Sequence, residues 1–252
     1  MKKASAPERS ASRPARAGAA KAKQNGADVD EAVTTDRRRL SGQETKQRIV
    51  EVAERLFALN GYEAVGLREI IREAGVHSAA VYYHFGSKEA LLLHILYSHA
   101  EPIAAKRMIY LDKLRQEGPF VLEQVLDAFL RPAVYEERAG KPVRSAYADI
   151  RLGLSLKHEE AVRAIQAEVF DPSSREFLDA FRACLPDLSE RDIYFRFDFL
   201  LGLMIHAMSN NGRVTELSLG QADPTDPDEV LQQMIPFIAA GMRAPAAGTK
   251  AG

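Results

Sequence analysis

The stretch AGVHSAAVYYHFGSKEALL, from Ala74 to Leu92, concentrates polar and aromatic groups within one short segment. It contains two tyrosines, two histidines and a lysine, with small Ser and Ala residues between them. Tyrosine hydroxyls and a lysine ammonium are hydrogen-bond donors that suit phosphate oxygens, whereas small side chains allow a large partner to approach closely. The segment is too polar for an ordinary core and predicts a binding surface.

Catalytic and metal-binding patterns are missing from the rest of the sequence. It has no Gly-rich phosphate loop, no G-x-S-x-G and no paired histidine and cysteine. His94 and His99 lie five residues apart, which is not one helical face, and His158 has no second histidine at metal-ligand spacing. We therefore predict no enzyme activity, no metal site and no cofactor.

Composition limits the kind of protein. The chain has 252 residues, of which 46% are hydrophobic, enough for a core in one or two domains. Its only cysteine, Cys184, cannot form an intramolecular disulfide, which fits a reducing cytoplasm. Residues 1–40 contain no apolar signal run, and no stretch has the roughly 20 apolar residues of a membrane span. We expect a cytoplasmic protein without a membrane segment.

The first forty residues differ from the remainder in charge and polarity. Residues 1–40 carry ten Lys and Arg against five Asp and Glu, with almost no large apolar side chains. Such a segment cannot bury enough apolar surface to offset the entropy of ordering, so we predict a disordered basic tail. Its three arginines, Arg37 to Arg39, suit either contact with nucleic acid or a solvated linker, and the sequence leaves both open.

Apolar residues after residue 40 follow helical spacing throughout. Ile49, Val52, Ala53, Leu56 and Phe57 recur at intervals of three and four, and no long segment alternates with a period of two. Ser87, Asp226-Pro227 and the Ser189/Asp192 pair are typical of helix starts. We predict an all-α fold, with later helices near 102–117, 119–138, 144–157, 159–170, 173–184, 189–211 and 227–242.

Residues 65–85 have the pattern of a helix-turn-helix. Gly75 can turn the chain sharply after one short helix, and Val76, Val81 and Phe85 are the predicted core contacts of the next. The opposite faces of that second helix then carry the small residues and the tyrosines. A helix that exposes small residues near its start can enter the major groove of DNA and approach base edges.

The string GYEAVGLREIIREAGVHSAAVYYHFGSKEALL, preceded by RIVEVAERLFALNG, resembles the DNA-binding domain of the TetR family of bacterial transcriptional regulators over about residues 44–95. The resemblance implies that Tyr82, Tyr83 and Lys88 contact phosphates and that Arg68 and Thr45 are flanking contacts. It also implies a recognition-helix tip formed by His77, Ser78, Ala79 and Ala80. His84 is open between DNA contact and packing.

Two departures from the family pattern affect these roles. Val65 and Gly66 stand where the family often has Thr or Ser before the second helix, so a side-chain phosphate contact is lost. The recognition helix commonly opens with Ser-x-Gly-Thr, whereas this chain has His77-Ser78-Ala79-Ala80. The base contacts, and therefore the operator sequence, do not follow from the resemblance.

The resemblance also implies a larger helical C-terminal domain that binds a small effector and forms a homodimer through its last two long helices, here 189–211 and 227–242. Arg151 and Arg196 interrupt its apolar stripes, but most of the lining is apolar, so we expect a mostly hydrophobic effector. The predicted ligand contacts are Phe129, Tyr147, Phe170, Met204 and Met208.

The predicted organisation is a tail at 1–40, a three-helix helix-turn-helix domain at 41–95, a ligand-binding and dimerisation domain at 96–243, and a second tail at 244–252. The expected partners are an operator in double-stranded DNA, a second copy of the chain and the effector, and the expected function is most simply repression. Two other functions are open: an activator or DNA-binding protein without an effector, and an enzyme on a helical bundle.

Overall fold

The computed structural model of the protein describes residues 41–138, 146–155, 160–209 and 212–245. The regular structure of this described part is entirely helical, which confirms the predicted all-α fold. The predicted basic tail at 1–40 lies outside the described residues, as does most of the predicted C-terminal tail. The pattern of contacts divides the chain after Thr45, so residues 41–45 belong to a separate unit from the remainder.

Three helices form the predicted helix-turn-helix region: α1 at residues 41–60, α2 at Leu67–Ala74 and α3 at Ser78–His84. Gly75 ends α2 with φ 61°, the left-handed conformation that glycine adopts at little cost, and its N–H donates to the Arg72 carbonyl. Buried side chains of these helices, including Phe57, Ile70 and Val81, share one core. The turn therefore fixes how α3 crosses α2.

Helix α4 is a single helix over Lys88–Glu117, which corrects the predicted separate helix at 102–117. Pro102 lies inside it. A proline removes one backbone donor and crowds the preceding turn, which usually bends or ends a helix. Here Ala100 and Ile103 on either side of Pro102 are both buried in the core, and this packing favours continuation of the helix. The predicted N-cap is confirmed, since Ser87 Oγ accepts from Ala90 N at 3.0 Å.

The C-terminal half consists of seven further helices in the described residues, of which α7 continues into a π-helical segment at Gln166–Phe170. Their bounds are α5 Leu122–Arg138, α6 Ala146–Ser155, α7 Glu160–Ile165, α8 Asp171–Cys184, α9 Glu190–Ser209, α10 Arg213–Leu217 and α11 Pro227–Arg243.

The predicted caps are present at α9 and α11. Ser189 Oγ accepts from Asp192 N at 3.1 Å, and Asp226 Oδ1 accepts from Asp228 N at 2.9 Å. The five-residue helix α10 was not predicted, because a single helical turn carries too few residues for a periodic signal.

Four phenylalanines join α5, α8 and α9 in the core of the C-terminal half. The Phe129 ring centroid lies 5.1 Å from that of Phe177 and 5.4 Å from that of Phe197, both with edge-to-face geometry. Phe181 lies 6.1 Å from Phe197 and completes the cluster. Such aromatic pairs add to the stabilisation from apolar burial.

Within the described residues no helix has the length and apolarity needed to cross a membrane.

Candidate nucleic-acid interface and effector cavity

Helix α3 is anchored on one side and exposed on the others. Val81 is fully buried, whereas the exposed fraction of Tyr82 is 57% and that of Tyr83 is 85%. At the start of the helix His77, Ser78 and Ala79 are exposed and Ala80 is half-buried. A buried valine thus fixes a helix whose small N-terminal residues and tyrosine hydroxyls face solvent. Exposed small residues suit an approach to base edges, and exposed tyrosine hydroxyls suit hydrogen bonds to backbone phosphates.

His84 lies in an aromatic row and is half-buried. Its ring centroid is 5.1 Å from that of Tyr83 and 6.1 Å from that of Phe85. Phe85 in turn lies 5.4 Å from His94, and burial together with the nearby Lys46 ammonium lowers the pKa of His94. These contacts favour the packing role for His84, where the sequence left packing and DNA contact open.

Lys88, predicted to contact phosphate, makes contacts within the protein. Its Nζ donates to the carbonyl oxygens of Tyr62 at 2.9 Å and Val65 at 3.1 Å. The ammonium also lies 4.1 Å from the Tyr62 ring centroid. The Lys88 ammonium therefore donates hydrogen bonds to two backbone carbonyl oxygens of the loop between α1 and α2, which lie outside any helix. A sequence pattern cannot show this, since it gives the lysine but not the carbonyls opposite.

Arg68 and Thr45, the two predicted flanking contacts, differ in the state of their side chains. Arg68 is exposed in the first turn of α2, two residues after Gly66, which is the N-cap position and supplies no side-chain cap. In the unit that ends at Thr45, the Thr45 hydroxyl donates to the Ser41 carbonyl at 2.8 Å. Arg68 thus keeps an exposed guanidinium, whereas the Thr45 hydroxyl already has a backbone acceptor.

A cavity of about 410 Å³, here called the core cavity, lies among α4, the π-helical segment, α8 and α9. Its apolar lining comes from Phe170, Leu178, Phe197, Leu201 and Met204. Phe170 and Met204 were predicted ligand contacts, and both line this cavity. The volume suits a small organic molecule, since ligand pockets typically span about 300–1,000 Å³.

The other three predicted ligand contacts lie elsewhere in the core. Phe129, Tyr147 and Met208 are buried but are not part of the cavity lining. The Tyr147 ring stacks on His99 with centroids 4.6 Å apart, and Phe129 belongs to the phenylalanine cluster. These three residues stay predicted ligand contacts that do not line this cavity, because apolar spacing marks burial and does not distinguish packed core from cavity wall.

Arg107 is the buried charged residue among the cavity-lining residues that sequence reasoning missed. Only 1% of it is exposed, and it lines the core cavity. A signal was present, since Ile103, Arg107 and Leu111 are spaced four apart along the buried face of α4. An arginine in an apolar stripe indicates a buried charge with specific partners.

Large apolar side chains are exposed on α9 and α11 of the C-terminal half. On α9, Phe195, Phe199 and Leu203 recur every four residues, and on α11 Phe237 is exposed. A groove of about 450 Å³ lies between α9, α10 and α11, with His206, Val214 and Met234 in its lining. Large exposed apolar side chains at this spacing are typical of an interaction surface.

Family models match both halves of the chain. The model described as "Bacterial regulatory proteins, tetR family" matches residues 49–95, and "Tetracyclin repressor-like, C-terminal domain" matches residues 127–241. Together they cover more than half of the chain. The chain belongs to the TetR family. That family consists of transcriptional regulators and not of enzymes, which agrees with the predicted lack of enzyme activity.

Named relatives of this TetR-family chain match mainly its N-terminal part. The HTH-type transcriptional regulator AcrR of Shigella flexneri is 36% identical over 96 residues, 38% of this chain and 45% of that protein. The HTH-type transcriptional regulator LmrA of Bacillus subtilis (strain 168) is 39% identical over 64 residues, 25% of this chain and 34% of that protein. The matched region thus spans less than half the length of either relative.

Solved structures resemble more of the chain. Probable transcriptional regulatory protein RHA5900 has a TM-score of 0.58 and 20% identity, over 79% of this chain and 100% of that one. PfmR of Thermus thermophilus, a TetR-family regulator, has a TM-score of 0.55 and 20% identity, over 76% of this chain and 94% of that one. At this identity the likeness shows a shared fold, which extends through the C-terminal half.

Proposed function

We propose that this TetR-family protein is a cytoplasmic, homodimeric repressor that binds an operator in double-stranded DNA and is released by a small, mostly hydrophobic effector. The single observation that carries the proposal is the exposure of the α3 edge. His77, Ser78 and Ala79 are exposed there beside two exposed tyrosines, while Val81 holds the helix in the core. An edge of this shape fits a major groove.

The proposed homodimer rests on α9 and α11. The exposed fraction of Phe199 is 63% and that of Phe237 is 68%, values that are unfavourable for large apolar side chains unless another surface covers them. A two-fold axis through these helices would bury the same stripe of each subunit. Two copies of α3 would then enter successive major grooves about one helical turn, ~34 Å, apart.

Effector release follows from the same geometry by linkage. The core cavity provides a site for the effector, and α4 runs without interruption from the helix-turn-helix region to this cavity. An effector that binds more tightly to a dimer with the wrong spacing of α3 shifts the population to that state. The free energy of this population shift is set by the difference between the effector's binding free energies for the two states.

The decisive experiment is fluorescence anisotropy of the full chain on DNA from upstream of its own gene, with unrelated DNA as control, across a salt series. A specific regulator binds the upstream DNA far more tightly than the control. Equal, weak and steeply salt-dependent binding to both would be phosphate attraction alone and would contradict the proposal for this DNA.

A matched pair of variants assigns the binding to α3. Ala79→Glu places a carboxylate at the exposed start of α3, where it would face DNA, and should abolish specific binding. Ala105→Glu makes the same change at an exposed position of α4 in the C-terminal half and should leave binding intact. Equal effects of the two substitutions on DNA binding would show that α3 is not part of the DNA interface.

A further inference from the structure

Lys46 lies at the end of the buried stripe of α1. It precedes Ile49 and Val50, which are both buried, by three and four positions, so it shares their face of the helix. Lys46 itself is half-buried, and its Nζ lies 5.8 Å from the ring centroid of Phe85, the residue that follows α3. A lysine so placed packs its stem on apolar neighbours and directs its ammonium to solvent, here beside the C-terminal end of α3.

The same end of α3 carries Tyr83, the exposed candidate donor to phosphate. The Tyr83 ring centroid lies 5.1 Å from that of His84, which in turn lies 6.1 Å from that of Phe85. Tyr83 and Lys46 therefore flank one aromatic row. A hydroxyl and an ammonium at one edge of a helix suit phosphates that border the groove which the helix enters.

The charge of Lys46 is not engaged by a carboxylate. In the part of the chain that the structure describes, Lys46 forms no ion pair. Other cations of the helix-turn-helix region differ, since Arg55 and Arg72 lie 3.5 and 3.6 Å from Glu73 carboxylate oxygens, and Lys88 donates to two loop carbonyls. A phosphate that approaches Lys46 therefore displaces no acidic partner.

His94 on the other side of the Phe85 ring responds to the same ammonium. Its ring centroid lies 5.4 Å from that of Phe85. Burial lowers the pKa of His94, and the Lys46 charge lowers it further. Because an imidazole already has a pKa below 7, this shift favours neutral His94 at pH 7. The positive charge beside Phe85 at that pH therefore comes from Lys46 and not from His94.

We propose that Lys46 binds a backbone phosphate of DNA beside the C-terminal end of α3. In this role it supplies the ammonium that the family resemblance assigned to Lys88. The inference rests on the proposed function, because it takes α3 as the helix that meets DNA, and it adds a contact that the sequence did not single out. Since phosphate contacts carry no base information, Lys46 positions α3 and does not select the operator.

The test is fluorescence anisotropy of the full chain on the upstream DNA and on unrelated DNA, each across a salt series. Loss of one phosphate contact makes the slope of log affinity against log salt shallower by about 0.9. We expect Lys46→Met to weaken binding to both DNAs about tenfold at ~50 mM salt and about threefold at ~200 mM salt. Lys46→Gln, which is also neutral, should act in the same way, and an unchanged slope in either variant would overturn the proposal.

Two further variants assign the effect to the charge at this position. Lys46→Arg keeps the charge and should retain the slope, and a shallower slope in this variant would contradict the proposal. Arg48→Met is the matched control, because Arg48 is an exposed cation about 200° further around α1, on the opposite face. It should leave the slope unchanged. Equal changes for Arg48→Met and Lys46→Met would reflect net charge alone and would overturn the assignment to Lys46.

The inference and the proposed function fail in different ways. The slope is measured on unrelated DNA as well, so the test does not require the operator. An unchanged slope in Lys46→Met, with tight binding of the upstream DNA by the unaltered protein, refutes only this inference. Equal affinity of the unaltered protein for both DNAs contradicts the proposed function for that DNA. A loss in Lys46→Met on the upstream DNA alone would show a base contact and refute the phosphate contact.

Discussion

Lys88 Nζ donates to the Tyr62 carbonyl oxygen at 2.9 Å, which ties the first residue of α4 to the loop between α1 and α2. A second bond to the Val65 carbonyl at 3.1 Å makes the ammonium a bridge across that loop. The loop leads directly into α2, so this bridge sets the position of the first helix of the helix-turn-helix. A lysine that sequence assigns to DNA thus stabilises the domain that presents α3.

Lys88→Met should lower the free energy of unfolding by about 2 kcal/mol, because two loop carbonyls lose a charged donor. The methionine keeps an unbranched apolar side chain, so the change removes the ammonium group together with its two hydrogen bonds and its contact with the Tyr62 ring. Urea unfolding followed by circular dichroism measures the effect. Lys113→Met is the control, since Lys113 is exposed and forms a surface pair with Glu117 at 3.7 Å, and a change within about 0.5 kcal/mol is expected.

The alternative role of Lys88 predicts a different pattern. If its ammonium contacts phosphate, Lys88→Met weakens binding to every DNA sequence alike and reduces the salt dependence, with stability unchanged. That result would restore the role predicted from sequence and contradict the structural one.

Tyr83→Phe should weaken DNA binding by roughly twofold to tenfold on operator and unrelated DNA alike. The exposed hydroxyl is a candidate hydrogen-bond donor to phosphate, and loss of one neutral hydrogen bond lowers affinity by about this factor. The effect is expected on both DNAs because phosphate contacts carry no base information. Tyr110→Phe, on the exposed surface of α4, is the matched control and should bind as the unaltered protein does. A loss at one base position only would show instead that Tyr83 reads sequence.

Phe199→Glu should convert the proposed dimer to a monomer in sedimentation velocity experiments at micromolar concentration. A carboxylate buried in an apolar interface loses its hydration without a partner. Ile109→Glu is a close control, because the exposed fraction of Ile109 on α4 is 64% and that of Phe199 is 63%. If the dimer persists with Phe199→Glu and dissociates with Ile109→Glu, the dimer interface lies on α4 and not on α9.

Sequence reasoning was accurate where structure is determined locally. The turn at Gly75, the Ser87 cap and the Asp226 cap each depend on a few neighbouring residues whose preferences do not require the rest of the fold. The all-α class follows in the same way from helical spacing. These features also define the α3 edge, so the candidate nucleic-acid surface could be predicted in advance.

Features set by contacts between distant segments could not be predicted. The role of Lys88 depends on carbonyls more than twenty residues earlier, and the cavity depends on how α4, α8 and α9 pack. Apolar spacing gave the same signal for Phe129, which is packed, and for Met204, which lines the cavity. Pro102 indicated a helix end that packing on both sides overrides.

Acid should weaken the link between α5 and α11 formed by Glu123 and Arg243. The two side chains form a bidentate pair, and this hydrogen bonding to Arg243 lowers the pKa of Glu123 from 4.5 to about 2. A folded-state pKa below the unfolded value means that the pair stabilises the fold above about pH 4.5 and that this stabilisation is lost as pH falls towards 2. Both groups are partly exposed, so the effect is small and decreases with salt.

We expect Glu123→Gln, Arg243→Met and the double variant to lose the same part of the acid dependence in urea unfolding from pH 6 downward, because each breaks the one pair. Additive losses in the double variant would show that the two residues stabilise the fold through separate contacts.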